Sequence, residues 1–180
     1  LTTLRERLWQ KMAKDPENLE KYMKQFVEIQ LEIHDKTAPL LNKMKDKMSV
    51  RINSLKAVNA TTRYELSTRL EGMPKHKKVL HGDYNPTNVV IDKDGKYYIL
   101  DWSHATQGNA SADAATTYLL LTLQDPKMAE MYMNMFCDMS DTAKQYVQRW
   151  LPIVAASRLT KAIPEEKDLL EKWLDVVEYE

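Results

Sequence analysis

Cysteine occurs once in the 180 residues, at Cys137, which excludes an intramolecular disulfide and a thiolate metal cluster and fits a reducing, cytoplasmic setting. Glycine occurs only four times, at positions 72, 82, 95 and 108, each at a turn or loop signal. The chain therefore cannot build a glycine-rich strand-turn-strand to cover phosphates. No apolar run approaches the roughly 18 residues that a membrane helix needs, and the N-terminus lacks the apolar core of a signal peptide. Excess charge is also missing: 26 basic residues balance 26 acidic ones, so no global field recruits nucleic acid or an anionic membrane. Small molecules are the expected partners. Internal repeats and low-complexity segments are absent too. At 180 residues, with 43% hydrophobic content, the chain is expected to form a single domain with a real core, residues 1–180. It begins at Leu1 rather than Met, which suggests a piece of something longer.

The most informative stretch runs from Val79 to Trp102, VLHGDYNPTNVVIDKDGKYYILDW. His81, Asp83 and Asn88 form an HxDxxxxN array, and Asp101 follows thirteen residues after Asn88. Gly82 permits a close backbone approach that a side chain would obstruct. Asn85-Pro86 signals a turn. Beyond it, the β-branched and aromatic runs from Asn88 to Asp92 and from Lys96 to Asp101 flank Asp94-Gly95, a strong hairpin cue. A hairpin brings the start of its first strand beside the end of its second, so Asn88 and Asp101 should meet at the open end, with Asp83 on the loop that feeds it. An amide oxygen and a carboxylate are hard ligands suited to Mg2+, which takes phosphate and water oxygens as its remaining partners. A second carboxylate is left over for a hydroxyl. Protein kinases use the same Asp-to-Asn offset for base and metal ligand, followed by a further metal-binding Asp.

HGDYNPTN followed by ILDW closely resembles the aminoglycoside phosphotransferase and choline kinase family of small-molecule kinases. The motif-grade likeness runs from His81 to Asp113, and a weaker one from the His34 helix through Leu159. The resemblance implies that Asp83 is the catalytic base or hydroxyl-orienting acid and that His81 buttresses its loop. It also implies that Asn88 and Asp101 hold Mg2+ and thereby the nucleotide, ATP or GTP, and that Asp113 anchors the loop. Trp102 and Ser103 depart from the Phe and Gly of the protein-kinase motif. The implied fold is α+β and mostly helical, a protein-kinase-like C-terminal lobe with a catalytic loop and a β-hairpin. Its N-terminal nucleotide-binding lobe, with the glycine-rich cover and the strand Lys, is absent from this sequence and would be the missing partner. The implied activity is transfer of the γ-phosphate to a hydroxyl of a small molecule, such as an aminoglycoside, a choline-like amine or a sugar metabolite. Two rivals stand beside it: a non-enzymatic binding or regulatory module derived from such a kinase, and a hairpin whose acids are merely structural. The last is disfavoured, because Asp83 and Asp101 close together repel unless a cation sits between them.

The rest of the chain reads as helices. Residues 1–14 suggest a frayed helix, and Asp15-Pro16 starts a firm one to His34 along the stripe of Leu19, Tyr22 or Met23, Phe26, Ile29 or Gln30, and Ile33. Pro39 opens a segment with Leu41, Met44, Met48, Ile52 and Leu55 inward, and Lys43, Lys45, Lys47 and Arg51 on a solvated face. Thr61 or Thr62 caps the next helix, which Gly72 and Pro74 end. Lys75 to Lys78 form a connector. Residues 103–109, including His104, read as a polar loop lining the cleft, and Ser111 as the cap of a helix ending at Asp125-Pro126. The methionines between Lys127 and Met139 read as adaptable core filler. Ser140 is expected to cap a long helix to about Ile163, kinked at Pro152. A last helix runs from Pro164 to about Glu178, with Leu169, Leu170, Trp173, Val176 and Val177 inward and an acidic outer face that suits either solvent or an amine.

Overall fold

A computed structural model describes residues 5–174 of the chain. The first surprise is β1 (Glu6–Arg7), where only a frayed helix was expected; α1 (Leu8–Lys14) follows directly and buries Leu8 and Met12. Two residues carry no readable period, and the strand exists only because a distant partner satisfies its backbone. A single 3-10 turn at Pro16–Asn18 then precedes α2 (Leu19–His34). Asp15 does not cap; its carboxylate accepts from the Asn18 amide at 2.9 Å and the Tyr22 hydroxyl at 3.0 Å. The expected apolar stripe holds, with Met23, Phe26, Ile29 and Ile33 buried.

The next helix, α3 (Met44–Ser54), starts later than Pro39 suggests, because residues 39–43 are pinned by Gln107, whose side-chain amide donates to the carbonyls of Pro39 and Leu41. In α4 (Ala60–Gly72) the cap is Asn59, whose side chain accepts the Thr62 N–H at 2.8 Å, rather than either threonine.

Two small sheets follow. Strand β2 (Lys78–Leu80) precedes the motif loop, and β3 (Val89–Ile91) and β4 (Tyr97–Ile99) form the expected hairpin, with Val89 opposite Ile99. The Asp92 carboxylate accepts the N–H groups of Asp94 and Lys96 across its turn, and β1 adds a third strand with Arg7 opposite Val90. The supposed plain loop contains β5 (Thr106–Gly108), paired antiparallel with β2 so that Leu80 faces Thr106. Gly108 allows this close packing, since a Cβ there would lie 3.0 Å from the Met44 Cβ.

Asn109, not Ser111, caps α5 (Ala110–Gln124), and Asp125 caps α6 (Pro126–Ser140). Ser140 ends a helix instead of starting one. Asp141 closes it in the left-handed region at φ 52°, and the expected long helix is split into α7 (Lys144–Gln148) and α8 (Leu151–Leu159). Pro152 sits in the first turn of α8, where its missing N–H costs no hydrogen bond, so it starts a helix rather than kinking one. After a 3-10 turn at Pro164–Glu166 comes α9 (Lys167–Trp173). The continuation expected through Val176 and Val177 to Glu178 lies outside the described residues.

The core is centred on α5, which packs on α6 and α8, while α2 packs on α6. Trp150, Tyr84, Tyr132, Phe26 and Phe136 are its largest buried side chains, and Met128 and Met133 fill between them. Tyr84, from the motif loop, stacks on Phe26 with ring centroids 4.4 Å apart. The loop is therefore nailed into the core. No helix among the described residues is long and apolar enough to cross a membrane.

Candidate active site

The loop after β2 folds around His81. Its Nδ1 accepts the Asp83 N–H at 3.1 Å, which leaves Nε2 to donate to the Leu100 carbonyl at 2.8 Å. The tautomer is thereby set. Gly82 lies at φ 85°, and a Cβ on it would fall 2.4 Å from the His104 carbonyl oxygen, so the backbone there admits only glycine. Asn88 donates its amide to the Asp83 carbonyl at 2.8 Å and to Asp83 Oδ2 at 3.2 Å; Asn85 donates to the same carbonyl at 3.0 Å and to Oδ1 at 3.4 Å. The Asp83 carboxylate is thus aligned by two amides and keeps lone pairs for a proton.

Asp101 is joined to this group through the backbone. The Leu100 N–H donates to the Asn88 carbonyl at 2.7 Å, and Asp101 follows at φ 55° with its side chain exposed. Aspartate enters that region more readily than most non-glycine residues, as Asp141 does at φ 52°. The Ser103 hydroxyl, at 2.6 Å from Oδ1, and then the Ser103 N–H hold the Asp101 carboxyl below the usual aspartate range. So His81, Asp83 and Asn88 touch directly, while Asp101 bonds to none of their side chains. Trp102 lies over His81, with ring centroids 4.7 Å apart.

The donor set suits a hard cation. Asn88 commits its nitrogen to Asp83, which leaves its Oδ1 free, and Asp101 Oδ2 has no partner among the described residues. Those residues hold no cluster of three or more His, Cys, Asp or Glu that would bind a metal unaided. Mg2+ suits such a sparse site, because it fills its shell with water and phosphate oxygens.

Asp113 supports the loop from below. Oδ1 accepts the Gly82 N–H at 2.9 Å; Oδ2 receives the His81 N–H at 3.3 Å, His34 Nε2 at 2.8 Å and the Gln30 amide at 3.4 Å. Burial alone would push its carboxyl up, but the His34 bond and charge and then the Gly82 N–H hold it below the usual value. The network continues through Gln30, which donates to Thr117 at 3.2 Å and accepts from the Tyr132 hydroxyl at 2.5 Å. Thr117 donates to the Tyr84 carbonyl at 2.7 Å, and the Tyr84 hydroxyl donates to the Phe26 carbonyl at 2.5 Å. Sequence reasoning missed Gln30, Thr117 and Tyr132 as a set. The one available signal was Gln30, a polar residue inside an apolar stripe.

Asp83 and His104 line a cavity of ≈ 60 Å³ that is open to one side and walled largely by α3, α5 and α8. The basic face of α3, expected to be solvated, is divided: Lys45 donates to the carbonyls of Glu71 and Met73, whereas Lys47 and Arg51 line the cavity. The acidic face near α9 is also interrupted, because Glu166 turns inward to pair with Arg158. Lys75, His76 and Lys77 remain exposed, as a connector should.

This loop, hairpin and helical bed define a class. Residues 5–147 match the phosphotransferase enzyme family, and the chain belongs to it. No curated protein matches the sequence. Among solved structures, the fold is similar to choline kinase LicA from Streptococcus pneumoniae, with a TM-score of 0.64 and 14% identity over 89% of this chain and 65% of that one. LicA in complex with AMP gives a TM-score of 0.63 and 15% identity over 87% and 63% of the two chains. A choline/ethanolamine kinase family protein from Mesorhizobium loti gives 0.56 and 12% over 92% and 60%. The likeness is one of fold: mostly helical α+β with small antiparallel sheets, spanning 65% or less of these kinases' lengths.

Proposed function

We propose that this chain is the catalytic and acceptor-binding lobe of a kinase that transfers the γ-phosphate of ATP or GTP to a hydroxyl of a small molecule. The observation that carries the reading is the Asp83 carboxylate, held by the Asn85 and Asn88 amides at the wall of a cavity. Asp83 takes the hydroxyl proton and orients the oxygen for attack. His81 and Asp113 fix the loop so that this carboxylate costs little to position. Asn88 Oδ1 and Asp101 are the residues that would hold Mg2+, which when bound neutralises charge on the phosphates. In this reading a nucleotide-covering lobe comes from residues outside this chain; the placement of its four glycines at turns, strand edges or a helix end supports that.

The test is transfer of labelled γ-phosphate from ATP or GTP to a panel of hydroxyl compounds, by a polypeptide that joins this chain to its nucleotide-binding lobe. Transfer that vanishes in Asp83→Asn supports the reading. Ligand binding without transfer to any acceptor would instead make the protein a binding module.

A further inference from the structure

Both spaces bordered by Asp83 are lined by cations. The ≈ 60 Å³ cavity receives Lys47 and Arg51 from α3, Arg158 from α8 and Lys161 just beyond it, with His104 at its wall. A wider hollow of ≈ 310 Å³, also bordered by Asp83, again presents Arg158 and Lys161, here together with Glu166. Some of this charge is already committed. Arg158 binds Glu166 through two bonds of 2.9 and 2.7 Å, and Arg51 gives one N–H to the Ser157 hydroxyl at 2.9 Å. Asp113, the cavity's other carboxylate, is occupied by Gly82, His81 and His34. Lys47, Arg51 and Lys161 have no carboxylate within 4.0 Å among the described residues. Asp83 and, for Lys161, the Glu166 carboxylate already shared with Arg158 are the acids these three cations face.

Gathering like charges, with Lys47 and Arg51 half-buried beside the exposed Lys161, costs free energy unless an anion offsets it. Burial, and after it the neighbouring cations, pushes the proton affinities of Lys47 and Lys161 down, and the same two lysines act on His104. We infer that the acceptor of this site carries an anionic group, a carboxylate or a phosphate, which sits on Lys47, Arg51 and Lys161 while its hydroxyl reaches Asp83. The inference rests on the phosphotransfer reading for the part played by Asp83. A quaternary amine or an amino sugar would meet like charge here, and repulsion of that kind is how sites reject wrong partners. Size allows it. A cavity of ≈ 60 Å³ has room for about four to six waters at roughly 10–15 Å³ each, enough to seat a carboxylate or phosphate group on Lys47 and Arg51.

Calorimetric titration of the 180-residue chain at low ionic strength tests this, with glycerate, glycerol 3-phosphate and choline as probes. Both anions should bind saturably and choline should not; the tighter anion tells carboxylate from phosphate. Lys47→Met and Lys161→Met should each weaken the anion about tenfold, whereas Lys47→Arg should retain it. Lys161 is exposed, so Lys161→Glu leaves the core untouched and should abolish binding even if Lys47→Met unfolds. Choline binding tighter than either anion overturns the inference. So does anion binding indifferent to both lysines, which would be an adventitious ion only, and so does displacement of the anion by magnesium-ATP, which would assign the cations to the nucleotide. Failure of the two readings is separable in the lobe-joined enzyme: transfer to choline but not to glycerate sinks this inference alone, while lysine-dependent anion binding without transfer to any acceptor sinks the phosphotransfer reading, and with it the part given to Asp83, but leaves the anion subsite standing.

Discussion

His81 Nε2 donates to the Leu100 carbonyl at 2.8 Å, and Leu100 returns its own N–H to the Asn88 carbonyl at 2.7 Å. One residue at the hairpin exit therefore ties the loop carrying Asp83 to the strand delivering Asp101. His81→Ala leaves the half-buried Leu100 carbonyl and Asp83 N–H without their partner, at roughly 1–2 kcal/mol each, the lower part of the range for an unsatisfied group because water reaches both. We expect urea unfolding to show a loss of about 2–4 kcal/mol. A loss under about 0.5 kcal/mol, the range of an ordinary surface substitution, would show that the clamp is dispensable.

The two acids should separate kinetically in the lobe-joined enzyme. Asp83→Asn should lower kcat by about 10²–10⁴-fold with nucleotide affinity nearly unchanged, because the base acts on the hydroxyl. Asp101→Ala should weaken magnesium-nucleotide binding as well. If both variants lost only nucleotide affinity, the division of roles between them would be wrong.

Asp113→Ala removes the acceptor shared by two loop N–H groups and His34, and should cost about 3–5 kcal/mol, as breaking a buried pair does. The pH dependence follows from the direction of its shift. Its folded-state pKa lies below the ordinary 3.8, so the unfolded chain binds the proton first. The stabilisation is present above that value and is lost as pH falls through the lower folded-state value. Acid unfolding curves should therefore steepen below about pH 4 in the parent chain and be flatter in Asp113→Asn. Equal slopes would mean that the carboxylate contributes nothing through ionisation.

Two glycines should behave in opposite ways. Gly82→Ala puts a Cβ against the His104 backbone at a positive φ, so the loop must shift and transfer should fall steeply while the helices remain folded. Gly72→Ala meets no atom within 4 Å at the end of α4 and should be neutral, or stabilising by about 0.5–1 kcal/mol. Circular dichroism melts and transfer assays on the pair check both; a Gly82→Ala enzyme with parental activity would remove the close-approach argument.

The 180-residue chain alone should fold yet bind magnesium-ATP weakly and transfer no phosphate at a useful rate. Its core closes around α5 without help, but phosphoryl transfer depends on positioning and electrostatic stabilisation that an open half-site barely supplies. Micromolar ATP binding with turnover by this chain alone, measured by calorimetry and a coupled assay, would refute the division into lobes.

What the sequence determined by itself was local. The Asp94-Gly95 turn, the stripe of Met23, Phe26, Ile29 and Ile33, and the spacing of His81, Asp83 and Asn88 are set by contacts within a few residues, so their chemistry is readable along the chain. Tertiary structure decided whatever needed a distant partner. Strand β1 exists because Val90 faces Arg7, and β5 because Leu80 faces Thr106; neither carries a period long enough to announce itself. Caps moved to Asn59 and Asn109 because a cap is chosen by backbone geometry among several competent neighbours. Gln30 looked like an exception in an apolar stripe until the fold placed Asp113, Thr117 and Tyr132 around it. Lys47 and Arg51 looked solvated because nothing within α3 says that α8 will close over that face, and only that packing gathers their charge beside Asp83.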